Sequence, residues 1–329
     1  MAAKQIVITT IFPPSRAVKM FSKLPDYSVI VVGDKKTPEP WSQEGVEFSP
    51  WNDRRFLNSR LAELIPFNHY SRKNLGYVIA MQKTPVSIID SDDDNLPLED
   101  FGFPELSFIG NVTPENQGFV NVYQYFSEKQ IWPRGLPVLD ILKRSPQKFG
   151  VRGSEIGIWQ GLANGDPDVD AIYRLTDNTE CIFDEREPLV LGRGTWSPFN
   201  SQNTLFRPEL FPLLYLPISV SFRFTDILRS LVAQPIAWGL GYQVGFTKAT
   251  VFQERNPHNH LEDLLSEVPM YSATSQIPLM LEQATLPRSS ILSCLINSYE
   301  ELLKHGVVSK AELFALEAWT AECEQLGFS

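Results

Sequence analysis

The densest chemistry in this chain is Val86-Ser87-Ile88-Ile89-Asp90-Ser91-Asp92-Asp93-Asp94, an apolar run ending in four aspartates within five residues. The run reads as a buried strand. Negative charge concentrated at a strand terminus is costly without a positive partner. Hard divalent cations take carboxylate oxygens, and such an ion commonly shares its shell between one or two carboxylates and a substrate's phosphates. Asp90 and Asp92 are therefore candidate metal ligands, with Asp93 and Asp94 beside them; the plain alternative is a solvated acidic turn. Upstream, Tyr70–Gln82 has the spacing of a helix feeding this strand, with Leu75, Val78 and Ile79 on one face. Arg72, Lys73 and Asn74 fall at its start. Cations there oppose the helix dipole, so they are not placed for helix stability, and a helix start flanked by them can receive phosphate or ribose oxygens.

Two further groups carry chemistry. In Phe224-Thr225-Asp226-Ile227-Leu228-Arg229-Ser230, Asp226 sits in the first turn of a predicted helix running toward Trp238. The helix dipole favours a carboxylate there, and the same carboxylate could instead take the proton of an attacking hydroxyl. The loop Glu254-Arg255-Asn256-Pro257-His258-Asn259-His260 holds two of the four histidines. It offers His258 as a further metal ligand and Arg255 as a phosphate contact, or else simply lets Asn259 cap a following helix. A structural zinc is not indicated, since no cysteine pair accompanies the histidines. Trp159, Trp196, Phe199 and Trp238 suit a core or a sugar platform. Asn200, Gln202 and Asn203 suit sugar hydroxyls or turn chemistry.

The elements that position these groups follow from pattern. Gln5–Thr10 reads as a buried strand, Pro13-Pro14-Ser15 starts a helix bearing Ala17, Val18, Phe21 and Leu24, and Tyr27–Val32 is a second strand ending in Gly33-Asp34-Lys35-Lys36-Thr37-Pro38. This is a βαβ beginning, and open α/β sheets bind ligands outside the carboxyl ends of such strands. Thr9, Asp34 and the aspartate cluster converge on that edge. Neither βα turn carries a Gly-x-Gly-x-x-Gly or P-loop sequence, which argues against dinucleotide oxidoreductases and Walker-type NTPases. Residues 1–115 should form a nucleotide-binding half and residues 116–270 an acceptor half. Residues 271–329 turn helical, with apolar positions recurring at three and four.

Four N-terminal blocks, Val7-Ile8-Thr9-Thr10-Ile11-Phe12-Pro13-Pro14, Val31–Pro38, Arg72-Lys73-Asn74-Leu75-Gly76-Tyr77 and Ile89-Asp90-Ser91-Asp92-Asp93, resemble successive blocks of the STELLO family. Asn200–Thr204, Ser221–Arg229 and Gln253–Asn259 fit as well, so the likeness runs in order over residues 5–270. STELLO proteins are glycosyltransferase-like and distantly similar to the UDP-arabinopyranose mutases. The resemblance implies a GT-A-like mixed sheet flanked by helices, and a metal-dependent transfer of sugar from a nucleotide-diphosphate sugar, UDP favoured, to a glycan or other hydroxyl acceptor. In that reading Asp90-Ser91-Asp92 is the Asp-x-Asp that binds Mn²⁺ or Mg²⁺ on the diphosphate, completed by His258. Thr9, Asp34, Arg72, Lys73, Asn74, Asp93, Asp94 and Arg255 hold the donor, and Asp226 is the base. A mutase or a non-catalytic nucleotide-sugar-binding protein would keep the same diphosphate site.

Composition bounds the rest. The 329 residues carry a net charge of −10, which argues against nucleic acid as a partner, since phosphate backbones need a basic surface. Hydrophobic residues make up 43%, enough for a sizeable core, yet no apolar run reaches membrane-spanning length and the start has no signal-peptide pattern. A Golgi location therefore does not carry over from the anchored plant members, and a cytoplasmic protein, or one peripheral to a membrane assembly, is expected. Cys181, Cys294 and Cys323 are odd in number and widely spaced, as in a reducing compartment. The C-terminal helices are a candidate surface for a homo-oligomer.

Overall fold

The structure, a computed structural model, describes residues 4–146, 148–177, 179–254, 259–282, 284 and 290–329. Its parallel start is built from β1 (Lys4–Thr10), α1 (Arg16–Phe21), β2 (Tyr27–Gly33), β3 (Val46–Ser49), α2 (Arg60–Leu64), α3 (Lys73–Met81) and β4 (Ile88–Ser91). Valine and isoleucine runs buried on both faces form β1 and β2, as a parallel sheet requires. Ser15 caps α1 by accepting from the Val18 N–H. Helix α3 lies directly on this sheet because Gly76 has no side chain: a Cβ there would stand 2.6 Å from Val7 Cγ1 and 2.7 Å from Val32 Cγ2. All of Lys73–Met81 is buried. The one-faced helix expected from spacing is thus covered all round, because the segment before Leu216 packs on its other side.

The second half follows as β5 (Asn95–Pro97), β6 (Ser107–Val112), β7 (Gly118–Phe119), α4 (Tyr123–Phe126), β8 (Gly150–Gly165), α5 (Ala171–Thr176), β9 (Leu189–Val190), β10 (Thr195–Trp196), β11 (Asn203–Phe206), α6 (Thr225–Gly239) and β12 (Gln243–Gln253). Among the described residues one ten-stranded sheet runs β3-β2-β1-β4-β11-β8-β6-β9-β12-β5, with β8 also pairing β12, while β7 and β10 form a separate pair. Strands β3 to β4 are parallel, and β11 is antiparallel to both β4 and β8, so the sheet is mixed. Its register sets Asn203 opposite Ser91. The loop before β11 therefore lies beside the aspartate cluster.

The chain ends in α7 (His260–Ala273), α8 (Ile277–Leu281), α9 (Ile291–Lys304) and α10 (Lys310–Gln325). The fold is the mixed α/β sheet flanked by helices, with a helical C-terminal segment, that the sequence pattern predicts. The apolar faces of α9 and α10 are not exposed for a partner: Leu295, Tyr299, Leu302, Leu316 and Trp319 are buried in the same core as Val7 and Ile30. Their periodicity reports this inward packing and gives no support to a homo-oligomer. A buried Glu312 pins α10 to the body, accepting from Tyr215 Oη at 2.6 Å and from the Ile218 and Ser219 N–H groups. Trp319 Nε1 adds a bond to the Pro212 carbonyl at 2.9 Å.

Candidate functional site

Strands β1, β2 and β4 end together, with Thr10 opposite Gly33 and Val7 opposite Asp90, so the loops that follow share one edge. A cavity of about 430 Å³ opens there. The first half of the chain contributes Thr9, Thr10, Asp34, Arg72, Asp92, Asp93 and Asp94 to its lining, and the second half contributes Arg134, Asp168, Asn200, Ser201, Phe222 and Asp226.

The aspartate cluster divides in two at the end of β4. Asp90 lies within the strand, fully buried, and belongs to a closed charge cluster: Arg229 Nη1 at 2.6 Å, Tyr77 Oη at 2.7 Å and the Lys73 ammonium. It does not line the cavity. The reading of Asp90 as a metal ligand is corrected accordingly, since its partners are two cations buried with it. Lys73 is corrected with it. Its ammonium lies between Asp90 and Asp92 and donates to the Ser91 carbonyl, so it neutralises the strand end from within and is not offered to a phosphate. Asn74 is also internal, exchanging two bonds of 2.8 Å with the Leu216 backbone.

Asp92, Asp93 and Asp94 follow the strand and face the cavity. Asp92 Oδ1 accepts from Tyr70 Oη at 2.6 Å and from Lys73 at 3.1 Å. Asp93 is held by the Thr10 hydroxyl. Asp94 Oδ2 accepts from Gln253 at 3.2 Å, whereas its Oδ1 is buried with no hydrogen-bond partner. Burial, and then the neighbouring Asp92, push the Asp93 carboxyl up to about 6 and the Asp94 carboxyl up to about 7. Three adjacent carboxylates with a single buried cation between them are short of positive charge.

Asp34 orders the β2 edge by accepting from the Lys35 and Asn68 N–H groups, both at 2.6 Å. Nearby, Lys35 Nζ stands 3.7 Å from the Phe67 ring centroid and the Arg72 guanidinium 4.8 Å from it. Thr9 and Arg72 reach the cavity as well. Arg255 and His258 lie outside the described residues.

Across the cavity, Asp226 is more heavily engaged than a proton acceptor can be. Arg134 grips it with two bonds of 3.0 Å, Ser201 donates to it through both N–H and hydroxyl at 3.2 Å, and the Ile227 N–H adds a fifth bond at 3.0 Å. Burial alone would raise its pKa, but Arg134 and then Arg229 outweigh burial and hold it below the usual carboxylate range. With every lone pair used, Asp226 is an anchor for Arg134 and the Ser201 loop, and the expectation of a base is corrected on that geometry.

Sequence reasoning overlooked three side chains here. Tyr70 Oη bridges Asp92 to Ser201 Oγ at 2.5 Å, and Arg134 joins Asp226 to Asp168. His69, at the cavity wall, accepts from the Ser71 N–H, and burial holds its pKa below the ordinary value. A lone Tyr, Arg or His carries no spacing signal. Only the proximity of Tyr70 to Arg72-Lys73-Asn74 could have drawn attention to it.

No family model matches the chain. It is 31% identical over 286 residues to the probable glycosyltransferase STELLO2 of Arabidopsis thaliana, covering 79% of this chain and 37% of that protein. It is likewise 31% identical over 259 residues to the probable glycosyltransferase STELLO1 of the same plant, covering 72% and 34%. This chain is a relative of the STELLO proteins. It spans about a third of the length of the STELLO sequences it matches. Among solved structures, glucosyl-3-phosphoglycerate synthase from Mycobacterium tuberculosis, in complex with Mn²⁺ and UDP-glucose, aligns over 88% of this chain and 81% of its own. That match is 11% identical with a TM-score of 0.35. Among the described residues of this STELLO relative no helix is long and apolar enough to cross a membrane.

Proposed function

We propose that the cavity binds a nucleotide-diphosphate sugar, UDP favoured, with a divalent cation, and that the protein transfers the sugar to a hydroxyl acceptor as a GT-A-like glycosyltransferase. The observation that carries this is the outward-facing trio Asp92, Asp93 and Asp94, with Asp94 Oδ1 buried and unpartnered. Such an oxygen suits a hard cation, and Mn²⁺ or Mg²⁺ takes carboxylate oxygens together with phosphates. Among the described residues no three His, Cys, Asp or Glu side chains form a cage of their own.

The Asp-x-Asp is then Asp92-Asp93-Asp94, two residues later than the frame read from sequence. Asp92 and Asp94 would hold the ion and Thr10 would fix Asp93 between them. Asp34 and Arg72 are the candidate contacts to the nucleoside and phosphates; Thr9 lies beside them. When bound, the ion neutralises charge growing on the leaving diphosphate. In the transfer, the acceptor oxygen bonds to the anomeric carbon while the bond from that carbon to the diphosphate oxygen breaks. The electron pair stays on the diphosphate, and the hydroxyl proton passes to that leaving group or to solvent.

The test is a thermal-shift series of nucleotide diphosphates and their sugars with Mn²⁺ or with EDTA. A ligand at about a hundred times its Kd adds about 2.7 kcal/mol to apparent stability. A rise with Mn²⁺ that EDTA removes supports the reading, and equal shifts in both buffers overturn it.

A further inference from the structure

The residues that the second half of the chain brings to the cavity have a charge pattern that bears on the second substrate. Three arginines reach it, and each is already matched. Arg134 is held by Asp168 at 2.7 and 2.8 Å and by Asp226 at 3.0 Å, Arg174 by Asp166, and Arg223 by Glu267 at 2.7 Å. Among the described residues, three cations thus face four carboxylates. A phosphate or carboxylate entering here would have to displace a buried carboxylate from its arginine, stranding that charge, or lie against like charge. Built-in repulsion of this kind selects against anionic ligands.

The same space presents an aromatic ring. Phe222 lines the cavity with 55% of its surface exposed. Its position is set in advance. Tyr70 meets it edge-on at 5.4 Å between centroids, and the preceding Ser221 is tied to the Ser266 carbonyl at 2.6 Å. Each Asp168 oxygen spends one lone pair on Arg134 and keeps another for a donor. An apolar platform beside neutralised carboxylates matches a ligand with C–H faces and many hydroxyl donors.

We infer that the acceptor is an uncharged saccharide, one sugar ring of which stacks on Phe222 while its hydroxyls donate to Asp168. This rests on the glycosyl-transfer reading above and names its acceptor class.

The experiment uses the full chain loaded with UDP and Mn²⁺. Uncharged trisaccharides of glucose, xylose, mannose and galactose are titrated beside glucose 6-phosphate and 3-phosphoglycerate, with binding read by saturation-transfer NMR. UDP affinity is measured separately by calorimetry. At least one uncharged saccharide is expected to bind and the phosphorylated compounds are not. Phe222→Ala should weaken the saccharide by up to about tenfold, the upper end of an aromatic contact, and Phe222→Trp should restore it. UDP affinity should stay at wild type in both variants. Preferential binding of a phosphorylated compound, or of no uncharged saccharide while UDP still binds, overturns the acceptor class and leaves the donor reading standing. Failure of the wild-type protein to bind UDP overturns the donor reading instead.

Discussion

Asp90 and Asp94 are four residues apart in one acidic run, yet their neutralisation should have opposite consequences. Asp90→Asn removes the anion that Lys73 and Arg229 share in the core and leaves both cations under-compensated. Removing one partner of a buried pair costs about 3–5 kcal/mol. At about 2 °C per kcal/mol for a large domain, the melting temperature should fall by roughly 6–10 °C. Asp94→Asn is different. Its Oδ1 has no partner to lose, and an amide oxygen can still accept from Gln253. Stability should change by no more than about 1 kcal/mol. Loss of a carboxylate ligand should nevertheless weaken cation-dependent UDP binding by at least the roughly 10–100-fold seen when mere supporting groups around a metal are removed. Scanning fluorimetry gives the first quantity, and calorimetry of UDP with Mn²⁺ and with EDTA gives the second. If Asp94→Asn keeps wild-type Mn²⁺-dependent affinity while Asp90→Asn loses it at an unchanged melting temperature, the cation is held by Asp90 and not by Asp94.

Asp226→Asn should lower the melting temperature by several degrees, because Arg134 loses one of its two buried carboxylates, while UDP affinity stays near wild type; an unchanged melting temperature with abolished turnover would restore the base assignment. Glu312→Ala strands the donors on Tyr215, Ile218 and Ser219, and at about 1–3 kcal/mol each the loss in urea unfolding should exceed 3 kcal/mol. Burial, with Glu267 nearby, pushes the Asp170 carboxyl up to about 6. A raised carboxyl favours the protonated folded state, so its contribution is neutral below about pH 4, grows unfavourable as pH climbs from about 4 to about 6 and is level above that. Asp170→Asn should therefore gain roughly 2–3 kcal/mol relative to wild type between pH 4 and pH 7.5; a pH-independent difference in urea unfolding would contradict this.

The βαβ start, the edge where ligands gather and the acidic run could all be read from pattern, because burial on both faces of β1 and β2 and the breaks at Pro13-Pro14 and Gly33 are local facts. The frame of the proposed Asp-x-Asp could not. Whether Asp90 points to water or to Lys73 depends on where β4 stops, and it stops at Ser91 because β11 pairs with it through Asn203. The bonding of Asp226 is non-local for a similar reason. Its position at a helix start is local, but its occupancy is decided by Arg134, 92 residues away in sequence. The helical tail was legible as helices, whereas its role as part of the core rests on Glu312 and Trp319 reaching back to residues 212–219.

One hydrogen-bonded chain runs across the floor of the cavity: Lys73 to Asp92, Asp92 to Tyr70, Tyr70 to Ser201, Ser201 to Asp226, Asp226 to Arg134, and Arg134 to Asp168. Lys73 comes from α3, Asp92 from just after β4 and Asp226 from α6, while Ser201, Arg134 and Asp168 lie in loops of the second half. The spacing between the proposed ion site and the proposed acceptor site is thus set by side chains bonded to one another, of which Arg134 and Asp226 are buried and Asp92 is open to the cavity. Asp92 is oriented by Lys73 and Tyr70, and Asp226 by Ser201 and Arg134, and such preorganisation costs nothing further when a ligand arrives. Asp90 and Arg229 complete the same network one layer deeper, at the level of Tyr77. Of four aspartates in five residues, then, one holds the two halves of the protein together and three are turned toward the cavity. The boundary between those tasks is the last residue of β4.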